Sequence, residues 1–256
     1  MGRLKTFFTK EKINAFLIHL GLSLSIFLVL LYFILFEWYP QPLFSTDGGW
    51  QGIRLLAFVD IVLGPLLTLI VFKKAKPRLK LDLSIIAAIQ LGALISGTLV
   101  VYGEHPVAII FQENRLYTVT ADEVKAGGIA LTSLKQYSDY SPPLIYTHLP
   151  EKPNELLKLY GKVFKEKRDF RLLGELYEKI TEKNKAFLKQ KATSLDNHLK
   201  NRPSELTIYK KFIAENKYKN RSLLYFPMYA RYQHGFAVLD ADTFEVIDVL
   251  NVTPPQ

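Results

Sequence analysis

Three uninterrupted apolar stretches dominate the first hundred residues. They are INAFLIHLGLSLSIFLVLLYFILF (Ile13–Phe36), a second running from Ile53 to Phe72, and LDLSIIAAIQLGALISGTLVVY (Leu81–Tyr102). A bilayer core of about 30 Å takes roughly 20 apolar residues as a helix, so each stretch predicts a transmembrane helix. The first is too long for the apolar region of a signal peptide, and no small-residue cleavage site follows it. It reads as an uncleaved signal anchor.

The pattern changes after Gly103. HPVAIIFQENRLYTVTADEV (His105–Val124) predicts two strands around a Gln-Glu-Asn turn. Ser222–Leu250 predicts three more, with turns at Tyr232-Gln233-His234-Gly235 and Asp240-Ala241-Asp242-Thr243. Between them, from Asn154 to Asn216, apolar residues recur at helical spacing. Leu156, Tyr160 and Val163 define one face; Leu172, Leu173, Leu176, Tyr177 and Ile180 a second; Phe187, Leu188, Leu195 and Leu199 a third. Ser141-Pro142-Pro143 and Arg202-Pro203 mark borders. The expected architecture is an integral membrane α-helical region of three transmembrane helices, followed by a soluble α+β domain with an antiparallel sheet and a helical insertion.

Charge gives this frame a direction. The tail, residues 1–12, carries Arg3, Lys5, Lys10 and Lys12 against Glu11 alone, and the loop 73–80 carries five cations and no acid. The loop 37–52 has neither Lys nor Arg. The positive-inside rule places both basic segments in the cytoplasm and residues 103–256 outside. In a bacterium that means the inner membrane and the periplasm. Trp38 and Trp50, with Tyr39, form an expected outer aromatic belt.

Polar residues within the spans are costly and therefore informative. Counting 1.5 Å per residue places Asp60 about 10 Å below the outer surface, level with Tyr32, Ser96, Gly97 and Thr98. His19 falls in the cytoplasmic third near Ser84 and Ala88, and Gln90 near the middle. Asp60, Gly64 and Thr68 form a four-residue stripe, and Ser84, Ala88, Gly92 and Ser96 another. Both predict close helix approach, with the second and third spans back to back. Gly64-Pro65 predicts a kink. Asp60 has no second carboxylate at its depth, which argues against aspartyl proteolysis. Two roles stay open for it: a group held by hydroxyls and backbone inside the bundle, or a contact to a partner's transmembrane helix.

The soluble part offers no recognisable chemistry. The chain has no cysteine, which excludes thiol nucleophiles and thiolate metal sites. His105, His148, His198 and His234 are scattered without metal-ligand spacing. Asp240 and Asp242 are spaced like the start of a calcium loop, but no glycine and distal glutamate follow, so a hairpin turn is the reading. No phosphate-binding loop is present, and neither metal nor cofactor is expected. The net charge of +9 gathers partly on the helical stretch, where Lys158, Lys162, Lys165 and Arg168 suit membrane lipids or a solvated surface. Nucleic acid does not fit a periplasmic domain.

Several segments together resemble the TfpX/TfpZ family of type IV pilin accessory proteins, related to FimB. They are WYPQPLF (Trp38–Phe44), VDIVLGPLLTLIVF (Val59–Phe72), LDLSIIAAIQLGAL (Leu81–Leu94), HPVAIIF (His105–Phe111) and the closing Leu223–Pro255. The resemblance implies a non-enzymatic inner-membrane helper, a pilin-specific chaperone that stabilises the major type IV pilin before assembly. Its partner would be that pilin, met through both its transmembrane helix and its periplasmic head. The expected binding surface is Asp60, Gly64, Thr68, Ser84, Ala88, Gly92 and Ser96. The rival from another class is a membrane enzyme that modifies pilin, a glycosyl- or phospho-form transferase.

Overall fold

In the computed structural model, which describes residues 9–215 and 217–255, the three apolar stretches form helices α1 (Lys10–Trp38), α2 (Gly49–Val71) and α3 (Leu79–Gly103). The expectations placed on Arg3, Lys5 and Asn216 lie outside the described residues. Thr9 caps α1 by accepting from the Lys12 N–H. The chain divides into two units: one holds the residues up to Trp38 with Gly49–Gly103, the other Tyr39–Gly48 with Glu104 onward.

In the helical unit two turns widen to π-helix, Phe33–Trp38 and Phe58–Leu63. The second directly precedes Gly64-Pro65. Proline removes the N–H that would bond the Ile61 carbonyl, and the wider turn absorbs that lost rung. Glu11 and Lys74 pair at 3.0 Å, so the basic tail and the basic loop lie at the same end of the bundle. Trp38 stacks on Phe33 and meets Tyr102 edge-on.

The second unit is built on a seven-stranded sheet in which Tyr177–Glu178, Leu144–Thr147, Pro106–Gln112, Arg115–Thr120, Leu223–Tyr229, His234–Asp240 and Val246–Leu250 lie side by side in that order. The five expected strands are β1 (Pro106–Gln112), β2 (Arg115–Thr120), β5 (Leu223–Tyr229), β6 (His234–Asp240) and β7 (Val246–Leu250). The β1–β2 turn is Glu113-Asn114, both left-handed at φ 49° and 64°, as a two-residue hairpin of this twist requires. Asp240 Oδ1 accepts from the N–H groups of Asp242 and Thr243, so the aspartate pair makes a turn. His234 and Gly235, expected in a turn, open β6 instead.

The sheet departs from the expected antiparallel one. β1 pairs in parallel with β3 (Leu144–Thr147), and β2 in parallel with β5. Short β3 and β4 (Tyr177–Glu178) complete one edge. The periodicity of Leu172–Ile180 is not that of a helix: the segment makes two 3₁₀ turns and β4. The remaining helices are α4 (Ala121–Ala126), α5 (Pro153–Glu166), α6 (Glu182–Gln190), α7 (Leu195–His198) and α8 (Pro203–Glu215), so the third predicted face is broken between α6 and α7.

Both faces of the sheet are covered, which is why its strands read as nearly continuous apolar runs. Ile109, Phe111, Phe226 and Leu239 enter one core with Leu188 of α6, while Ala108 and Ile110 enter another with Val124 and Leu172. Phe236, Val238 and Leu250 meet Leu195 and Leu199 in a third.

The first core also contains Leu43, from the segment between α1 and α2. That segment is a built part of the α/β unit. Tyr232 and Gln233 both donate their N–H to the Thr46 carbonyl, at 2.9 and 3.2 Å. Gly48, at φ +105°, lies so close to the Tyr232 ring that a Cβ would sit 2.5 Å from it. Tyr39 is buried in this unit rather than forming the expected aromatic belt, and burial pushes its phenol far above the usual range. Burial likewise raises the Asp47 carboxyl, against the opposing hydroxyls of Thr118 and Thr46.

Candidate functional site

The most unusual chemistry in the described residues is a chain of polar side chains inside the helical unit. Its source is the α2 stripe: Asp60, Gly64 and Thr68 are all buried. Asp60 sits in the π-helical turn, eleven residues into α2. Because α2 begins at Gly49, four residues before the predicted start, Asp60 stands near the middle of the helix. Its partner is Gln90 of α3, whose Nε2 donates to Asp60 Oδ1 at 2.8 Å. The expected level with Tyr32 and Ser96–Thr98 is therefore corrected to one with Gln90.

The amide of Gln90 joins all three helices. Nε2 also reaches Ser23 Oγ of α1 at 3.2 Å and the Asp60 carbonyl at 3.3 Å. Gly64 makes this approach possible, since a Cβ there would lie 1.9 Å from Gln90 Oε1. One turn further along α2, Thr68 Oγ1 and His19 Nδ1 of α1 are 2.6 Å apart. His19 thus bonds Thr68, and it lines the same groove as Ala87 of α3.

Two atoms of the cluster have no described partner: Asp60 Oδ2 and Gln90 Oε1, both closed off from solvent contact. Asp60 and Gln90, with His19 and Ser23, are among the residues that line a groove of 210 Å³, together with leucines and an isoleucine. Gln90 Oε1 itself lies over the bare Cα of Gly64.

The α3 stripe does not join this site. Ser84, Ala88, Gly92 and Ser96 are all exposed on the bundle's outer surface. Ser84 donates only to the Lys80 carbonyl of its own helix, and a Cβ on Gly92 would meet nothing within 4 Å. The face of α3 that packs is Ile86, Gln90, Leu94, Gly97 and Val101, with Gly97 against Leu56 and Val101 against Gly52. The sequence pattern places Gln90 near mid-span without a partner and does not mark Ser23. The available signal was chemical: an amide and a hydroxyl are the side chains that a buried carboxylate needs.

The α/β unit has larger openings of ordinary chemistry. One of them, 590 Å³, runs along β3 and β4 past Tyr146, His148, Lys179 and Phe187, and none of its lining residues carries a buried unpartnered polar atom. A smaller cavity holds Arg171 and Arg231. Arg171 is bound by Asp169 and Glu123, which hold it protonated against the cost of its burial, and Arg231 pairs with Glu104. Among the described residues no three His, Cys, Asp or Glu side chains gather as a metal site would require.

Curated relatives share part of this chain. A fimbrial assembly protein of Dichelobacter nodosus serogroups C1 and C2 is 36% identical over 110 residues, which are 42% of this chain and 83% of the relative. The fimbrial assembly proteins of serogroups I and E1 from the same organism are 33% and 32% identical over 133 residues. The chain spans about half the length of those two relatives (51% of each). No protein-family model and no solved structure matches the chain.

Proposed function

This chain belongs to the family of fimbrial assembly proteins, and we propose that it serves as a membrane-anchored accessory protein that holds a fimbrial subunit before assembly. The observation that carries this reading is the 36% identity to a fimbrial assembly protein of which the chain covers 83%. The subunit is the major type IV pilin, in keeping with the TfpX/TfpZ resemblance of Val59–Phe72 and Leu81–Leu94. In this reading the chain sits in the bacterial inner membrane, its N-terminus cytoplasmic and its α/β unit periplasmic. A subunit held in the same membrane by one apolar helix with a periplasmic head has the same orientation. Each unit of this protein can then engage the corresponding half of its client. The role is non-catalytic: binding protects the subunit and presents it for polymerisation.

The test is a deletion strain examined for subunit abundance, piliation and intact subunit mass. The proposal expects lower abundance and fewer pili with unchanged mass. A subunit of normal abundance that has lost a covalent modification would overturn it in favour of a modifying enzyme.

A further inference from the structure

Among the described residues of the α/β unit, the two most exposed large apolar side chains stand together on α5. Phe164 is 88% exposed and Leu157 72%. Seven residues, two helical turns, separate them, so they share one face. Gly161 lies between them, and a Cβ there would meet nothing within 4 Å. The packing face of α5 is a different one, made by half-buried Leu156 and Leu159 and buried Val163. Tyr160 stands at the border of the two, its ring 4.8 Å from that of Phe170 and its hydroxyl donating to Glu113 at 3.2 Å. The helix is well ended. Pro153 opens it, and left-handed Lys167 closes it, with the Lys167 and Arg168 N–H groups returning to the Phe164 and Val163 carbonyls. The apolar strip is therefore a held surface and not a fraying end.

Cations run beside it. At 3.6 residues per turn, Lys158 and Lys165 fall next to the strip on the side away from the packing face, and Lys167 stands at the helix end. The acids of the helix are already taken: Glu155 pairs with Lys152 at 3.0 Å and Glu166 with Arg168 at 3.7 Å. Lys162 pairs with Glu175 at 3.8 Å. Among the described residues, Lys158, Lys165 and Lys167 have no ion-pair partner. We propose that α5 is a membrane-surface contact, in which Phe164 and Leu157 enter the headgroup region of an anionic bilayer and these three lysines meet the lipid phosphates. Apolar side chains bordered by unpaired lysines on one helix are what such a surface attracts. A protein partner is the poorer match, because lysine is depleted where proteins bury surface against each other. The chain also supplies the opportunity: only Glu104 and His105 separate α3 from β1, so a bilayer that holds the spans is always within the unit's surroundings. This goes beyond the accessory reading, since it needs the membrane anchor but no client.

The chain has no cysteine, so Gly161→Cys places a single fluorescent label in the strip. The full chain is reconstituted in nanodiscs of phosphatidylcholine alone, or with an equal part of phosphatidylglycerol, and the label is quenched by nitroxide groups on the lipids. The docked-to-free ratio read from quenching should be higher in the anionic discs. Lys158→Gln and Lys165→Gln should each lower it about fivefold, the attraction expected of one lysine at an anionic surface. Leu157→Ser and Phe164→Ser should each lower it about tenfold or more. Both side chains are exposed, so these variants should keep the fold, which circular dichroism checks. Absence of lipid quenching, quenching equal in the two lipids, or quenching that survives the serine variants would overturn the proposal. So would shielding that appears only when two copies share a disc or when a fimbrial subunit is added, since the strip would then serve a protein. The main measurement contains no subunit, so its failure leaves the accessory reading to the deletion strain.

Discussion

Replacing Gly64 by alanine sets one methyl group against the amide that joins the three helices. The new Cβ would lie 1.9 Å from Gln90 Oε1 and 2.2 Å from both Cδ and Nε2, distances no real contact tolerates. Gln90 must swing away, and its bonds to Asp60 Oδ1 and Ser23 Oγ go with it. Interhelical hydrogen bonds in membranes are worth about 0.6 kcal/mol each and at most about 1.7. Overpacking adds about 1–3 kcal/mol, and the better helix propensity of alanine returns about 1. The net loss is about 1–5 kcal/mol. Trp38 and Trp50 both belong to the helical unit, so tryptophan fluorescence during detergent-induced unfolding of the full chain reports it. Gly92→Ala is the matched control: nothing lies within 4 Å of its Cβ, so it should be neutral or up to about 1 kcal/mol stabilising. In a Gln90→Ala background the Gly64→Ala cost should nearly vanish. Equal effects of Gly64→Ala and Gly92→Ala, or a full cost that persists without Gln90, would refute the packing argument.

Two further outcomes follow from the segment between α1 and α2. Leu43→Ala should destabilise the whole α/β unit by about 2–5 kcal/mol, because Leu43 is fully buried among Ile109, Phe111 and Phe226. Hydrogen exchange on the full chain checks this, and loss of protection confined to residues 39–48 would show the segment to be merely appended. Asp47→Asn should stabilise the same unit at neutral pH, because burial raises the carboxyl's folded pKa above its unfolded value of about 3.9. The folded chain holds that proton more tightly, so the ionisation penalty is absent below the unfolded pKa and grows as pH rises through the folded one. Thermal unfolding followed by tyrosine circular dichroism should show the variant's advantage fade toward acid; an advantage independent of pH would rule out this cause.

The sequence by itself determined whatever depends on neighbours along the chain. Span length follows from apolar run length, and the Glu113-Asn114 and Asp240–Thr243 turns follow from local side-chain chemistry. Strands β1, β2, β5, β6 and β7 were legible because their runs are long and bounded by such turns. Leu144–Thr147 and Tyr177–Glu178 were not, since two to four residues carry no measurable alternation. Burial of Asp60, Gly64 and Thr68 was also legible, because a carboxylate and a proline-linked glycine avoid lipid.

Only the tertiary structure decided which side of α3 faces inward. A helix that is apolar all round does not mark its packing face, so the small-residue stripe Ser84–Ser96 looked inward and lies outward. Its true inner face is set by shape: the Gln90 amide fits only over the bare Cα of Gly64. The same holds for Tyr39–Gly48, whose residues read as a loop between spans until Leu43 finds a core assembled from residues more than sixty positions away. The spans, the hairpin turns and the cost of an acid in lipid are local properties; the partners of Asp60 and Leu43 are chosen by side chains that meet only once the chain has folded.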